Sequence, residues 1–492
     1  MNNSSFARYR AEWFDGAGSA RRDILAGMVG TFALIPEVIA FSFVAGIDPE
    51  VGLFASFVIG IVIAFAGGRP AMISGAAGSV ALVAAALVHA HGLPYLLAAT
   101  LLAGVFQIVF GLLQLDVLMR FVSRSVRTGF VNALAILICS AQVPQMLDVT
   151  WHTYALIAAG LAIIYLAPRI TTAIPSPLIC IVALTAFSMA FPMPIHTVAD
   201  LGRLPASLPA LTWPGVPIAW ETLRIVVPYA LAMAAVGLLE SMMTASVVDD
   251  LTETTSSKAR ECTGLGLANL AAGLFGGIAG CGMIGQTVGN VRYGGRGRLS
   301  TLVAGVFLLV VMVPLRLWVA QVPVAALVAI MIMVSISTFS WGSIRDLARH
   351  PKVSGVVMVA TVLVTVATHD LSAGVAVGVL LSGVFFAFKV TRMMEVSTTY
   401  DAASDTRTYV VSGQIFFASA DIFADRFDLR DPARHVRIDL TASHLWDVTA
   451  VGALEEVITK LRHHGMTVEL IGLNQASAIL VDRLAPAMAT AT

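Results

Sequence analysis

Apolar positions along this chain do not alternate as in a half-buried strand or recur every third or fourth residue as in a surface helix. They run in long blocks, most of them near the twenty or so residues that an α-helix needs to cross a bilayer. Blocks near 24–46, 50–67, 71–89, 93–114, 126–147, 153–168 and 177–194 predict seven spans. After a Pro-rich connection, His196–Trp220, seven more are predicted near 224–247, 262–279, 282–291, 300–319, 323–340, 353–369 and 371–391. From Glu395 the pattern becomes that of a small soluble domain. Tyr409–Phe417 and Val436–Leu440 read as strands, Val451–His464 as an amphipathic helix and Thr467–Leu473 as a further strand, a βαβ pattern. The chain therefore divides into a lead-in (1–23), a first membrane repeat (24–200), a connection (201–223), a second repeat (224–394) and an α/β domain (395–492).

Two blocks are too rich in glycine for one continuous helix. Gly273–Gly297 reads GLFGGIAGCGMIGQTVGNVRYGGRG, and Ile73–Val80 reads ISGAAGSV. A helix broken inside the bilayer leaves backbone N–H groups unpaired, which hydrocarbon tolerates only where protein or a watery cavity meets them. The positive end of a helix starting near Ile284–Thr287 favours an anion. Interrupted segments at matching places in two halves point to the binding site of an inverted-repeat transporter.

Composition agrees with a polytopic membrane protein: 58% hydrophobic and 12% charged residues, with formal net charge zero and mean hydropathy +0.85. Nothing suggests nucleic-acid binding. Cys139, Cys180, Cys262 and Cys281 form no CxxC pair, so neither a disulfide nor a metal site is expected. Residues 1–23, with Arg8, Arg10, Arg21 and Arg22, lack the apolar core of a signal peptide. With the N-terminus inside, the inner connections hold Arg69; Arg120, Arg124 and Arg127; Arg169; Lys258 and Arg260; Arg292, Arg296 and Arg298; Arg345, Arg349 and Lys352; Lys389 and Arg392. The outer ones hold little beyond Arg203, Arg224 and Arg316, an asymmetry that predicts both termini inside.

Ionisable groups within spans are candidates for function. Glu37 follows Pro36 in the first span; Glu240 lies in the eighth, with Thr244 one turn later on the same face. The alternative for each is a structural carboxylate held by hydroxyls or backbone N–H groups. A carboxylate beside an anion site repels the anion unless it is protonated or paired with a cation, so proton or sodium coupling follows. Gln107, Gln114, Asn132 and Asn290 read as interhelical hydrogen-bonding groups, while Gln286, Thr287 and Ser79 at the breaks are candidates for direct contact. Asp249 and Asp250 read as a solvated helix end. No Walker-type loop, HExxH or GxSxG is present, so no enzyme and no cofactor are expected.

ALIPEVIAFSFVAGIDPEVGLFAS (Ala33–Ser56) followed by PAMISGAAGSVALV (Pro70–Val83) resembles the first three spans of the SulP anion-transporter family, which includes sulfate permeases, bicarbonate transporters and prestin. GVFQIVFGLLQL, FVSRSVRTGFVNALAI and LGLANLAAGLFGGIAGCGMIGQTVGN continue the match, and the C-terminal region resembles a STAS domain. The resemblance implies two inverted seven-span repeats arranged as core and gate domains, substrate between spans three and ten, dimers, and an elevator-like shift of the core. Carried over by position, the site holds Ala77, Gly78 and Ser79, then Ile284, Gly285 and Gln286, with Glu37, Phe41, Glu240 and Thr244. Many eukaryotic members carry a basic residue near Gln286; its absence favours coupled symport over exchange. WDVTAVGAL (Trp446–Leu454) is similar to the DSSG loop of anti-sigma-factor antagonists, but Val448 stands at the first serine position, which leaves Thr449 as the candidate for phosphorylation.

The reading is a secondary active anion transporter of a bacterial inner membrane, proton-coupled, for a small carboxylate such as fumarate or succinate or for an inorganic oxyanion. Sodium-coupled bicarbonate or sulfate uptake is the alternative, with Glu240 and Thr244 supplying oxygen ligands. Nucleobase symport and a non-transporting membrane sensor are the further rivals, and the STAS domain is a candidate to dock a cytoplasmic protein.

Overall fold

A computed structural model describes residues 9, 12–13, 17–114, 122–147, 149–171, 174–191, 193–217, 219–349 and 352–484. Arg8, Arg10 and Arg120 lie outside the described residues. The chain forms two compact units, Met1–Val379 and Leu380–Thr492.

A helix lies in each of the fourteen apolar blocks. In the first half these are α1 (Ala17–Val44), α2 (Pro49–Ala66), α3 (Gly78–His91), α4 (Leu93–Leu112), α5 (Arg124–Ser140), α6 (Trp151–Ile170) and α7 (Ser176–Ala190). The second half holds α8 (Trp220–Thr252), α9 (Lys258–Leu274), α10 (Ile284–Arg292), α11 (Arg298–Val319), α12 (Val324–Thr338), α13 (Lys352–Thr368) and α14 (Leu371–Thr391). Among the described residues, eight of these helices are long and apolar enough to cross a membrane by themselves. Two expected spans are corrected. The block near 71–89 is helical only from Gly78, and the block near 262–279 stops being helical at Leu274. In both, small residues carry no side-chain packing that would hold a helix against the cost of glycine.

Helix pairing repeats with a shift of seven. α1 packs on α11 as α8 packs on α4; α5 packs on α13 as α12 packs on α6; α10 packs on α1 as α3 packs on α8. Seven crossings are an odd number, so the second repeat enters the bilayer from the opposite face, and the repeats are inverted. α1–α4 and α8–α11 pack mainly with one another, and α5–α7 mainly with one another and with α12 and α13, which gives the core and gate groups. The α4–α9 contact is close enough to need glycine: a Cβ at Gly266 would lie 2.6 Å from the backbone nitrogen of Ile108.

The second unit has a four-stranded sheet: β3 (Glu395–Asp401), β4 (Thr406–Ile415), β5 (His435–Leu445) and β6 (Thr467–Ile471), in that order. β3 runs antiparallel to β4, and the other neighbours are parallel. Helices α15 (Val448–His463) and α16 (Gln475–Leu484) complete it, with Leu454, Val457 and Leu461 of α15 buried in one cluster with Val411, Ile438 and Leu440. Asp447 caps α15 by accepting from the Ala450 N–H at 2.9 Å. Val448 and Thr449 beside it are exposed.

Candidate functional site

The two breaks meet. Ser74–Gly75 (β1) and Cys281–Gly282 (β2) form a two-residue antiparallel ladder, Ser74 opposite Gly282 and Gly75 opposite Cys281. A side chain at Gly280 would run into the carbonyl oxygen of Gly75. Buried polar side chains satisfy the backbone groups that the ladder leaves over, as a low-dielectric interior demands. The Ile73 N–H donates to Thr287 Oγ1 at 3.0 Å and the Ala76 N–H to Ser56 Oγ at 3.0 Å. Ala279 donates to Thr100 Oγ1 at 3.1 Å, and Gly282 donates to Ser241 Oγ at 2.8 Å. Asn269 serves both ends of one peptide group: its Oδ1 accepts from the Gly280 N–H (2.9 Å), while its Nδ2 donates to the Gly280 carbonyl (3.1 Å) and to Gln107 Oε1 (2.8 Å).

Past the ladder the chain enters α3 on one side and α10 on the other. Neither N-terminus has a side-chain cap, at Ala77 or at Met283. The first-turn N–H groups and the positive end of each helix dipole are left for another partner. Ala77, Gly78, Ile284, Gly285 and Gln286 line a cavity of about 260 Å³ between these two helix starts. A Cβ at Gly285 would meet nothing within 4 Å, whereas one at Gly78 would lie 2.6 Å from the Phe41 ring. Gln286 is 2% exposed, and its Nε2 makes no hydrogen bond. That amide is a buried donor with only the Glu37 carboxyl near it, at the place where two helix dipoles converge, a setting that suits an anion.

Glu37 and Glu240 line the same cavity, and Gln286 lies near enough to Glu37 for their side chains to interact. Glu240 is fastened to both breaks. Its Oε2 accepts from Ser79 Oγ of α3 and, at 3.1 Å, from Cys281 Sγ of β2. Thr244 Oγ1 lies 2.9 Å from both the Glu240 and the Gly282 carbonyl oxygens. The opposite wall comes from the gate group: Phe130, Val131 and Leu134 of α5, Met333, Val334, Ser337 and Thr338 of α12, and Pro177 of α7.

Of the candidate residues, Glu37, Phe41, Ala77, Gly78, Glu240, Ile284, Gly285 and Gln286 come together around the cavity. Ser79, Thr244 and Thr287 do not line it; their hydroxyls hold Glu240 and the broken backbone. Asp249 is no solvated helix end: it pairs with Arg69 at 3.1 Å and Lys258 at 2.8 Å. The gate wall was missed from the sequence, where the only signal was three hydroxyl residues, Ser335, Ser337 and Thr338, closing an otherwise apolar helix, of which Ser337 and Thr338 reach the cavity. Among the described residues, no group of three His, Cys, Asp or Glu side chains is arranged to hold a metal ion.

A model of the sulfate permease family matches residues 21–159 and 145–361 of this chain, and a STAS domain model matches residues 398–485. The chain is 49% identical to YbaR of Bacillus subtilis (strain 168) over 485 residues, 99% of this chain and 100% of that one. The structure of the transmembrane domain of a cyanobacterium bicarbonate transporter, BicA, superposes with a TM-score of 0.65 at 27% identity, covering 73% of this chain and 97% of that one. The overall structure of SLC26A9 shares the fold with a TM-score of 0.80 at 16% identity, over 94% of this chain and 86% of that one.

Proposed function

The chain belongs to the sulfate permease family, as a multi-pass membrane anion transporter rather than an enzyme, and from that premise we propose proton-coupled symport of a small carboxylate, such as fumarate or succinate, or of an inorganic oxyanion. The observation that carries the reading is the meeting of unlike groups in one cavity: two uncapped helix N-termini and the buried Gln286 amide lie with two carboxyl groups, Glu37 and Glu240. The donors attract an anion; the carboxylates repel it until a proton neutralises them. Anion and proton then bind together or not at all. Ala77, Gly78, Ile284, Gly285 and Gln286 contact the anion, with Phe41 packed beneath, and Glu37 and Glu240 carry the coupling proton. Ser79, Thr244 and Thr287 act indirectly, by fixing Glu240 and the breaks.

Movement of the core group against the gate group, elevator fashion, exposes the cavity to each side in turn. The basic residues put both termini and the STAS domain on the cytoplasmic side of a bacterial inner membrane. A homodimer is the assembly proposed, with the STAS domain open to a cytoplasmic partner.

One observation favours a second reading, sodium-coupled bicarbonate or sulfate uptake. Thr244 Oγ1 and the Glu240 and Gly282 backbone carbonyls bring three oxygens together, the donor type that a hard cation takes.

The test is uptake of labelled succinate, sulfate and bicarbonate into proteoliposomes under a proton gradient, a sodium gradient or neither. Proton-driven uptake that is lost in Glu37→Gln or Glu240→Gln supports symport. Sodium dependence at fixed pH moves the assignment to the second reading. Uptake indifferent to both gradients refutes coupling.

A further inference from the structure

A polar cavity of about 220 Å³ lies within the gate group and shares no lining residue with the anion cavity. Three elements wall it: the start of α5, the helix Trp341–Arg349 and the start of α13. From α5 come Arg124, Ser125 and Thr128. Thr128 lies four residues after Arg124 and three after Ser125, so these side chains project on one side of the helix. Ser354 lines the cavity from α13, and Leu347 and Met358 close its apolar side. Ser343, 5% exposed, also lines it, with its hydroxyl already engaged: it accepts from Asn132 Nδ2 at 2.9 Å and donates to the Ser340 carbonyl at 2.6 Å.

Four donors remain. Among the described residues, Arg124 is exposed and has no ion pair, and the hydroxyls of Ser125, Thr128 and Ser354 make no hydrogen bond. Thr128 does not return its hydroxyl to the carbonyl one turn back, as Thr361 of α13 does to Val357 at 2.8 Å. The three hydroxyl residues are half-buried, and none of these oxygens is sealed from the surface. No carboxylate of the described residues lines the cavity. Nearby, Ser343–Lys352 carries Arg345, Arg349 and Lys352 against the single acid Asp346, and Arg127 follows on α5.

The lining selects the occupant. A guanidinium and three hydroxyls all donate, and the one fixed charge is positive. What they suit is an anion rich in acceptor oxygens. Because the donors stand on two helices, a planar carboxylate meets only some of them, whereas a phosphate presents oxygens in several directions and takes the guanidinium fork through two. We propose that this cavity is a binding site for a phosphate group, held by Arg124, Ser125, Thr128 and Ser354. On the proposed orientation it opens at the cytoplasmic surface, where lipid headgroups and soluble phosphates both reach it. α5 also carries Phe130, Val131 and Leu134 of the anion cavity, and the helix Trp341–Arg349 follows α12, which carries Ser337 and Thr338. A bound phosphate braces both elements of the gate wall from outside the transport path.

The test reads Arg124 itself, so its outcome is independent of transport and of the symport reading. Full-length protein in phosphatidylcholine vesicles is treated with phenylglyoxal, which modifies unshielded guanidinium groups, and the modified arginines are located by mass spectrometry. Inorganic phosphate, compared with chloride at equal ionic strength, is expected to slow modification of Arg124 but not of Arg127, which does not line the cavity. Replacing part of the phosphatidylcholine with phosphatidylglycerol gives the second arm. Protection by inorganic phosphate alone identifies a soluble ligand, protection by phosphatidylglycerol alone a lipid headgroup, and protection in both a site that reads the phosphate whatever carries it. In an arm that protects, Thr128→Val, which keeps the side-chain shape without the hydroxyl, and Ser354→Ala each raise the half-protecting amount about tenfold or more, the effect of one lost hydrogen bond to a charged group. Failure of both arms to protect Arg124 beyond Arg127 overturns the site. Protection that neither substitution weakens also overturns it, since an exposed arginine screened by any anion would behave in that way.

Discussion

Gly285→Ala separates anion binding from fold stability. Gly285 is the second residue of α10, faces the cavity, and has no heavy atom within 4 Å of the Cβ position. The new methyl therefore strains nothing. Alanine is favoured over glycine within a helix by up to about 1 kcal/mol, so the melting temperature stays level or rises slightly. The methyl does occupy room beside the first-turn N–H groups. Its volume is on the order of the 30 Å³ that a water molecule takes up in the liquid, roughly a tenth of the cavity. If it holds the anion off one N–H, the loss is that of a hydrogen bond to a charged group, about 1.5–3 kcal/mol. Half-saturation of uptake then rises about 10- to 150-fold. The assay pairs the concentration dependence of proteoliposome uptake with thermal unfolding of the purified protein. An unchanged half-saturation concentration in a protein of unchanged stability refutes the assignment of the α10 N-terminus as an anion contact.

The same logic inverts five residues earlier. Gly280→Ala, whose methyl meets the Gly75 carbonyl oxygen, forces β1 and β2 apart, and thermal unfolding at a clearly lower temperature is the expected result. Asn269→Leu leaves the N–H and carbonyl of Gly280 and the Gln107 amide oxygen without partners; at about 1–3 kcal/mol for each orphaned group the loss is on the order of 5 kcal/mol, read from the same melts. Asp447→Ala removes the α15 cap and costs about 1 kcal/mol locally, which hydrogen exchange of the full-length protein reports as faster exchange at Ala450.

The spans were legible because a bilayer needs long apolar stretches, and the breaks were legible because glycine in such stretches has few other uses. What the sequence could not show is where a hydroxyl points. Ser79 and Thr287 sit at the two helix starts and read as ligands, yet each is occupied by Glu240 or by Ile73. The gate wall escaped for a related reason: Val131 and Met333 facing a cavity are the same letters as residues facing lipid. The helix Trp341–Arg349 was not foreseen, since its alternation of apolar and charged residues never reaches span hydropathy. Strand β3, EVSTTYD, was missed because it is mostly exposed and lacks an apolar face.

The ladder between β1 and β2 also constrains biogenesis. The ribosome makes Ser74 and Gly75 about two hundred residues before the partners they pair with, an interval on the order of ten to forty seconds at ordinary elongation rates. Throughout that interval the first repeat is threaded into the membrane with peptide groups that only Thr287, Met283 and their neighbours satisfy. The first seven helices cannot mature by themselves. The nascent half-protein is a natural client for an insertase or membrane chaperone, and a chain truncated after α7 is a natural substrate for membrane proteolysis.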